Sequence, residues 1–164
     1  CFVKLKSDIA KVSNEINAVV VNDSVIGKNI FEGPGAGAGP TGASVMSDLM
    51  DIIRGTYNYP LGVSIKKKKK LKIQKIDDLS FPYYLRITAK DKAGVMAKIS
   101  KALSKRKISI ESIIQKPSKR SNFAEIILIT HTVKESSLLS SIKQIKRLPE
   151  VSSSVKFIRI EDSL

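Results

Sequence analysis

Residues 32–49, EGPGAGAGPTGASVMSDL, hold the most pointed arrangement of residue types in the chain. Gly33, Gly35, Gly37 and Gly39 occupy alternate positions, and Pro40 and Thr41 follow. Without a Cβ, glycine lets the backbone take positive φ and approach a ligand or another backbone segment closely. A glycine-rich loop that feeds a helix presents backbone N–H groups at the positive end of the helix dipole, which suits an anion such as phosphate. The spacing is neither the dinucleotide fingerprint GxGxxG after a first strand nor the phosphate loop GxxxxGK[ST]. Read locally, the stretch is either a ligand loop or a tight strand-to-helix connection.

Other reactive side chains are sparse. His131 is the only histidine, so a histidine-based metal cluster or catalytic triad has no basis in this chain. It ends a strand-like run and is expected to be structural. Asp48 and Asp51 stand three residues apart on a helix surface and are expected to be solvated. Ser44 and Ser47 have no base nearby, and Met46 and Met50 are expected to fill a core. Cys1 is the single cysteine, which excludes an internal disulfide framework and suits a reducing, cytoplasmic setting.

The elements that must position these residues fall into three stretches. Cys1 to Lys6 is expected as a short strand, and residues 16–32 as a hairpin, with Asn22-Asp23-Ser24 supplying turn chemistry. Thr41 is the expected N-cap of a helix whose apolar positions are Val45, Leu49, Ile52 and Ile53, and Gly55 is its expected stop. A hairpin and one helix are too little to bury a core alone. Residues 1–55 therefore look like the tail of a larger domain. Residues 56–80 change character: Lys66 to Lys70 run unbroken, no period is sustained, and the stretch is expected to be a linker with room for a short strand or helical turn near Leu71 to Ile76.

From Phe81 the pattern sharpens. Tyr83, Leu85, Ile87 and Ala89 alternate with Tyr84, Arg86, Thr88 and Lys90, as in a half-buried strand. A turn at 91–94 leads to a helix over 94–106 with Val95, Ile99, Ala102 and Leu103 on one face. Ile108, Ile110 and Ile114 mark a second strand, a loop runs from Lys116 to Asn122, and Phe123–Thr130 has the continuous apolar run of a central strand. Leu138, Leu139, Ile142 and Ile145 give a second helix, and Val155–Ile160 a last strand. The order β-α-β-β-α-β predicts an α+β, ferredoxin-like unit over 81–164.

The 164 residues carry a net charge of +14. Such a charge raises nucleic acid or an anionic membrane as a partner. The excess is concentrated in the lysine run, aromatic content is 5%, and basic and aromatic residues are not interleaved, so neither partner is expected. No apolar run approaches the roughly 18 residues that a membrane-spanning helix needs. The chain begins with Cys1 and lacks the pattern of a signal peptide, so a piece of a longer protein is expected.

Two separate segments carry a resemblance. YYLRITAKDKAGVMAKISKALSKRKISIESIIQK, followed by AEIILITH, resembles the ACT domain at the C-terminus of bacterial homoserine dehydrogenases. Ile9-Ala10-Lys11-Val12, Asn17-Ala18-Val19 and GPGAGAGPTGASVMSDLMDI resemble the end of the catalytic region of that family. The resemblance implies an α/β catalytic region ending at 1–55, a linker at 56–80 and an ACT regulatory domain at 81–164. It implies the NAD- or NADP-dependent interconversion of L-aspartate 4-semialdehyde and L-homoserine, on the route to threonine, methionine and isoleucine. No catalytic residue and no metal ligand falls in this chain, which lacks the cofactor-binding domain and is expected to be inactive alone. Gly37 matches a family position that contacts the nicotinamide cofactor, with Gly35 and Ala36 flanking it.

For the ACT part, the resemblance implies an amino-acid effector, threonine, and pairing of two ACT domains in a homo-oligomer. Asp91, Ala93, Gly94 and Val95, at the turn into the helix, would face it with backbone N–H groups. Asp91 would either accept from the ligand's ammonium or cap the helix. Ile113, Ile114 and Gln115 would face the same pocket across a paired interface. An alternative keeps the ACT module but attaches it to another enzyme, such as an aspartate kinase. The glycine-rich stretch separates the two, because a regulatory module alone has no need of it.

Overall fold

The structure is a computed structural model describing residues 1–55, 72–118 and 122–161. It divides into two compact units, one of Cys1–Val3 with the residues from Ile73 onward and one from Lys4 to Lys72. The lysine run and the residues around it lie outside the described residues.

The larger unit is the expected βαββαβ arrangement. Its elements are β5 (Tyr83–Lys90), α2 (Val95–Ser104), β6 (Ile110–Pro117), β7 (Phe123–Thr130), α3 (Glu135–Ile145) and β9 (Val151–Glu161). A two-residue strand, β1 (Phe2–Val3), runs parallel to β9 and gives the sheet the order β1-β9-β5-β7-β6. β4 (Ser80–Phe81) and β8 (Val133–Lys134) form a separate small ribbon. A 3-10 turn at Ile76–Asp78 precedes β4, at the end of the stretch where a short strand or helical turn is expected.

Period decides the packing. Tyr83, Leu85, Ile87 and Ala89 alternate onto the helix side of β5 and are fully buried. Val95, Ile99, Ala102 and Leu103 recur at helical spacing and meet them from α2, and Leu138, Ile142 and Ile145 meet them from α3. Gly94 precedes α2 with φ +83, a conformation that costs a residue with a Cβ about 1–2 kcal/mol. Some boundaries differ from expectation: β9 begins at Val151, four residues before the expected last strand. β6 runs on through Lys116 and Pro117, which pair with Glu125 and Ala124, so the loop is shorter than expected. Ile108 is buried ahead of β6 rather than in it.

The smaller unit is a hairpin and a helix. β2 (Ile16–Asp23) pairs with β3 (Gly27–Pro34) in antiparallel register from Ile16↔Pro34 to Asp23↔Gly27. The Asp23 carboxylate accepts from the N–H groups of Val25 and Ile26 at 2.7 and 3.2 Å and shapes the turn. α1 (Ala38–Arg54) follows, and Gly55 closes it in the left-handed conformation, its N–H reaching Asp51 and Ile52 oxygens. No residue of α1 is buried. Met46 and Met50, expected as core, are 58% and 39% exposed. The apolar stripe of α1 exists, but among the described residues nothing in this unit covers it.

Candidate functional site

The glycine-rich stretch resolves into three parts. Gly33 and Pro34 end β3, Gly35-Ala36-Gly37 make the turn, and Gly39 already lies within α1. The helix starts at Ala38, three residues before the expected cap. Gly37 is the N-cap, and its carbonyl accepts from the Thr41 N–H at 3.1 Å. Pro40 is tolerated here because the first turn of a helix has no intrahelical acceptor for its N–H groups. Thr41 therefore caps nothing.

Two glycines of the turn are structurally required. Gly37 has φ +111 and ψ 146, which is open only to glycine. A Cβ on Gly35 would stand 2.0 Å from Asn17 Nδ2, and the Gly35 N–H donates to the Glu15 carbonyl at 2.6 Å. The glycines thus serve a tight connection between β3 and α1, and the N–H groups of Ala38 and Gly39, in the first turn of the helix, have no intrahelical acceptor. Pro34, Gly35, Ala36, Pro40, Thr41 and Ser44 line an open cleft of about 200 Å³ there.

The second predicted site lies at the start of α2. Asp91 does not cap the helix, and α2 begins without a side-chain cap. Instead the Asp91 carboxylate accepts from Gln115 Nε2 at 3.0 Å, tying the turn to β6. The Asp91 N–H donates to the Asn122 carbonyl, and the Val95 N–H to the Lys92 carbonyl. Register separates the β6 residues. Ile113 and Gln115 stand opposite Leu128 and Ile126, on the helix side of the sheet. Ile114 stands opposite Ile127, which pairs with the exposed Arg86, on the other side. Asp91 and Gln115 therefore come together with Ala93, Gly94 and Val95 nearby in the chain, while Ile114 belongs to the opposite face. Ile113 and Ile114 are 44% and 51% exposed, on the edge strand of the sheet.

A third cluster was not expected from the sequence. Glu135, the first residue of α3, is buried, and Arg159 of β9 donates to it through Nε and Nη2 at 2.5 and 2.6 Å. Tyr83 Oη donates to the same carboxylate at 3.0 Å. The Arg159 hydrogen bond holds the Glu135 carboxyl below its ordinary value against the opposing effect of burial. Burial, and then the bond to Glu135, push the Tyr83 phenol up to about 12. The trio joins α3 to two strands of the sheet and is a structural clamp. Glu135 lies at helical spacing from Leu138, Ile142 and Ile145, and that spacing is the signal that places it on the buried face. Among the described residues no group of acids, His and Cys is arranged to hold a metal.

The comparisons bear on both units. The family model for homoserine dehydrogenase matches residues 1–50, and the ACT domain model matches residues 83–150. A homoserine dehydrogenase of Helicobacter pylori is 33% identical over 98% of this chain, and one of Pseudomonas aeruginosa is 38% identical over 93%. A crystal structure of a homoserine dehydrogenase from Thiobacillus denitrificans superposes with a TM-score of 0.81 at 31% identity, over 98% of this chain and 37% of that one. The chain belongs to the homoserine dehydrogenase family. It is a C-terminal part carrying an ACT domain, and it spans 38% and 37% of the length of the two relatives. A homoserine dehydrogenase structure from S. aureus, at 23% identity and a TM-score of 0.53, shares the fold.

Proposed function

We propose that this chain is the regulatory end of an NAD- or NADP-dependent homoserine dehydrogenase that interconverts L-aspartate 4-semialdehyde and L-homoserine, and that its ACT unit binds L-threonine. The observation that carries this reading is the coexistence of two sites of opposite completeness. The turn at 91–95 is braced within a packed unit. The glycine turn at 35–37 opens into a cleft of about 200 Å³, below the roughly 300–1,000 Å³ of a small-molecule site.

The glycine turn fits one end of a dinucleotide and no more. Gly37 brings backbone close to the surface without a side chain, and the N–H groups of Ala38 and Gly39 are free to donate to a polar group. Gly35 keeps the turn clear of the Asn17 side chain, and Ala36 lies between Gly35 and Gly37. When bound, the nicotinamide supplies hydride transfer. The contribution of this chain is to position one edge of it, and residues outside the chain must hold the remainder. The apolar stripe of α1 is the matching surface for that larger domain.

At the ACT unit, the N–H groups leading into α2 suit the effector's carboxylate, and Asp91 offers an acceptor for its ammonium once Gln115 yields. The edge strand β6 beside it is free to pair with a second ACT unit, making a homo-oligomer. To regulate, the effector must bind the active and inactive states of the whole enzyme with different affinity. Calorimetry of the chain with threonine, methionine, lysine and isoleucine tests the assignment. Saturable heat with threonine, lost in Asp91→Ala, is expected. Absence of heat with all four overturns the effector claim.

A further inference from the structure

The face of the sheet turned away from α2 and α3 has an unusual composition. An antiparallel sheet with one face packed ordinarily presents polar residues on the other. Here Tyr84, Ile127, Ile129 and Ile158 occupy outward positions in register across β9, β5 and β7. At one end, Phe2 packs edge-on against Tyr84 with ring centroids 5.4 Å apart. Beside this pair, Phe2, Tyr84, Arg86, Lys156 and Ile158 border a hollow of about 340 Å³.

The two cations are the telling feature. Arg86 and Lys156 are direct cross-strand partners. Like charges in that position destabilise a sheet. Among the described residues, neither makes an ion pair. Glu125 is the carboxylate nearest in register, diagonal to Arg86 through the Thr88↔Glu125 and Arg86↔Ile127 pairs, and it does not pair with either cation. So, among the described residues, the two cations stand without a compensating carboxylate at the rim of an aromatic hollow.

We infer that this hollow binds a small, doubly charged organic anion with an apolar body, of the phosphate-monoester class. The Arg86 guanidinium forks onto two oxygens, Lys156 supplies a second charge, and the apolar body lies against Phe2, Tyr84 and Ile158. A zwitterionic amino acid is a poor match, because its ammonium would stand beside two cations. The site is thus chemically distinct from the one proposed at Asp91–Val95, on the other side of the sheet.

Phenyl phosphate is the probe, titrated into the full chain and followed by amide chemical shifts. Saturable shifts at Phe2, Tyr84 and Ile158 are expected, with Arg86→Gln or Lys156→Gln weakening binding roughly ten- to hundred-fold. Arg86→Glu keeps the fold under observation. It places opposite charges across the pair, so it should abolish binding while raising Tm by roughly 1–3 °C. No saturable shift in the wild type overturns the inference. So does unchanged binding in Arg86→Glu, and so does equal affinity for inorganic phosphate, which would reduce the site to surface charge.

Discussion

The two units place similar apolar patterns in opposite circumstances. α2 and α1 both repeat apolar residues at helical spacing. Val95, Ile99, Ala102 and Leu103 of α2 are at most 7% exposed, whereas Val45, Leu49, Ile52 and Ile53 of α1 are 47–77% exposed. Among the described residues of Lys4 to Lys72, Ser7 alone is buried. An amphipathic period thus records that a helix has a face to cover, not that the cover lies in the same chain. For the ACT unit the cover is its own sheet. For α1 the cover proposed above is the larger domain of which residues 1–55 would be the tail.

Core truncation gives the widest contrast. Leu128→Ala, at a fully buried position, should cost about 2–5 kcal/mol of unfolding free energy. Leu49→Ala, at 47% exposure, should stay within about 0.5 kcal/mol in this chain. Denaturant unfolding measures both. A large loss from Leu49→Ala in the chain alone would break the contrast, and a loss that appears only in the full-length enzyme would sharpen it.

The Glu135 clamp comes next. Removing the carboxylate in Glu135→Ala strands the Arg159 charge and the Tyr83 hydroxyl, at a cost of about 3 kcal/mol. Its pH signature has a defined sign. The folded-state pKa of Glu135 is lowered, so its contribution is present above the ordinary glutamate value of 4.5 and fades as pH falls through the lower folded value. Tyr83 is raised from 10.0 to about 12, so its contribution is complete below pH 10 and is lost between there and about pH 12. Stability measured across pH in wild type and Glu135→Gln checks both windows. An identical acid limb in the two proteins would remove Glu135 from the account.

A smaller effect is expected on the helix that lacks a cover. Gly42 sits in α1 with open space where a Cβ would be. Gly42→Ala should raise the helicity of α1 and stabilise it by roughly 0.5–1 kcal/mol, read by circular dichroism. Unchanged helicity would show that the helix start is held by the turn at Gly37 and not by propensity.

Local periodicity made the ACT unit legible. Alternation along Tyr83–Lys90 and helical spacing at 95–103 and 138–145 each name one buried face, and those faces meet. The start of α1 was not legible, because glycines and a proline lower the apparent propensity of a first turn that tolerates them. Long-range polar contacts were also hidden. Glu135 finds Tyr83 and Arg159 at separations of 52 and 24 residues, and Asp91 finds Gln115 at 24. No short window contains both partners. The glycine turn was visible as a feature, but its two meanings coincide: the positions that keep Gly35 clear of Asn17 also bring bare backbone to the surface.

Amide hydrogen exchange on the chain alone tests the division between self-sufficient and unfinished units most directly. The account predicts that amides of β5, β7, α2 and α3 exchange only through global unfolding, while those of α1 and the β2–β3 hairpin exchange through local openings of much lower free energy. Protection in α1 equal to that in β5 and β7 would contradict it, because the helix would then be stable without the domain proposed to cover it.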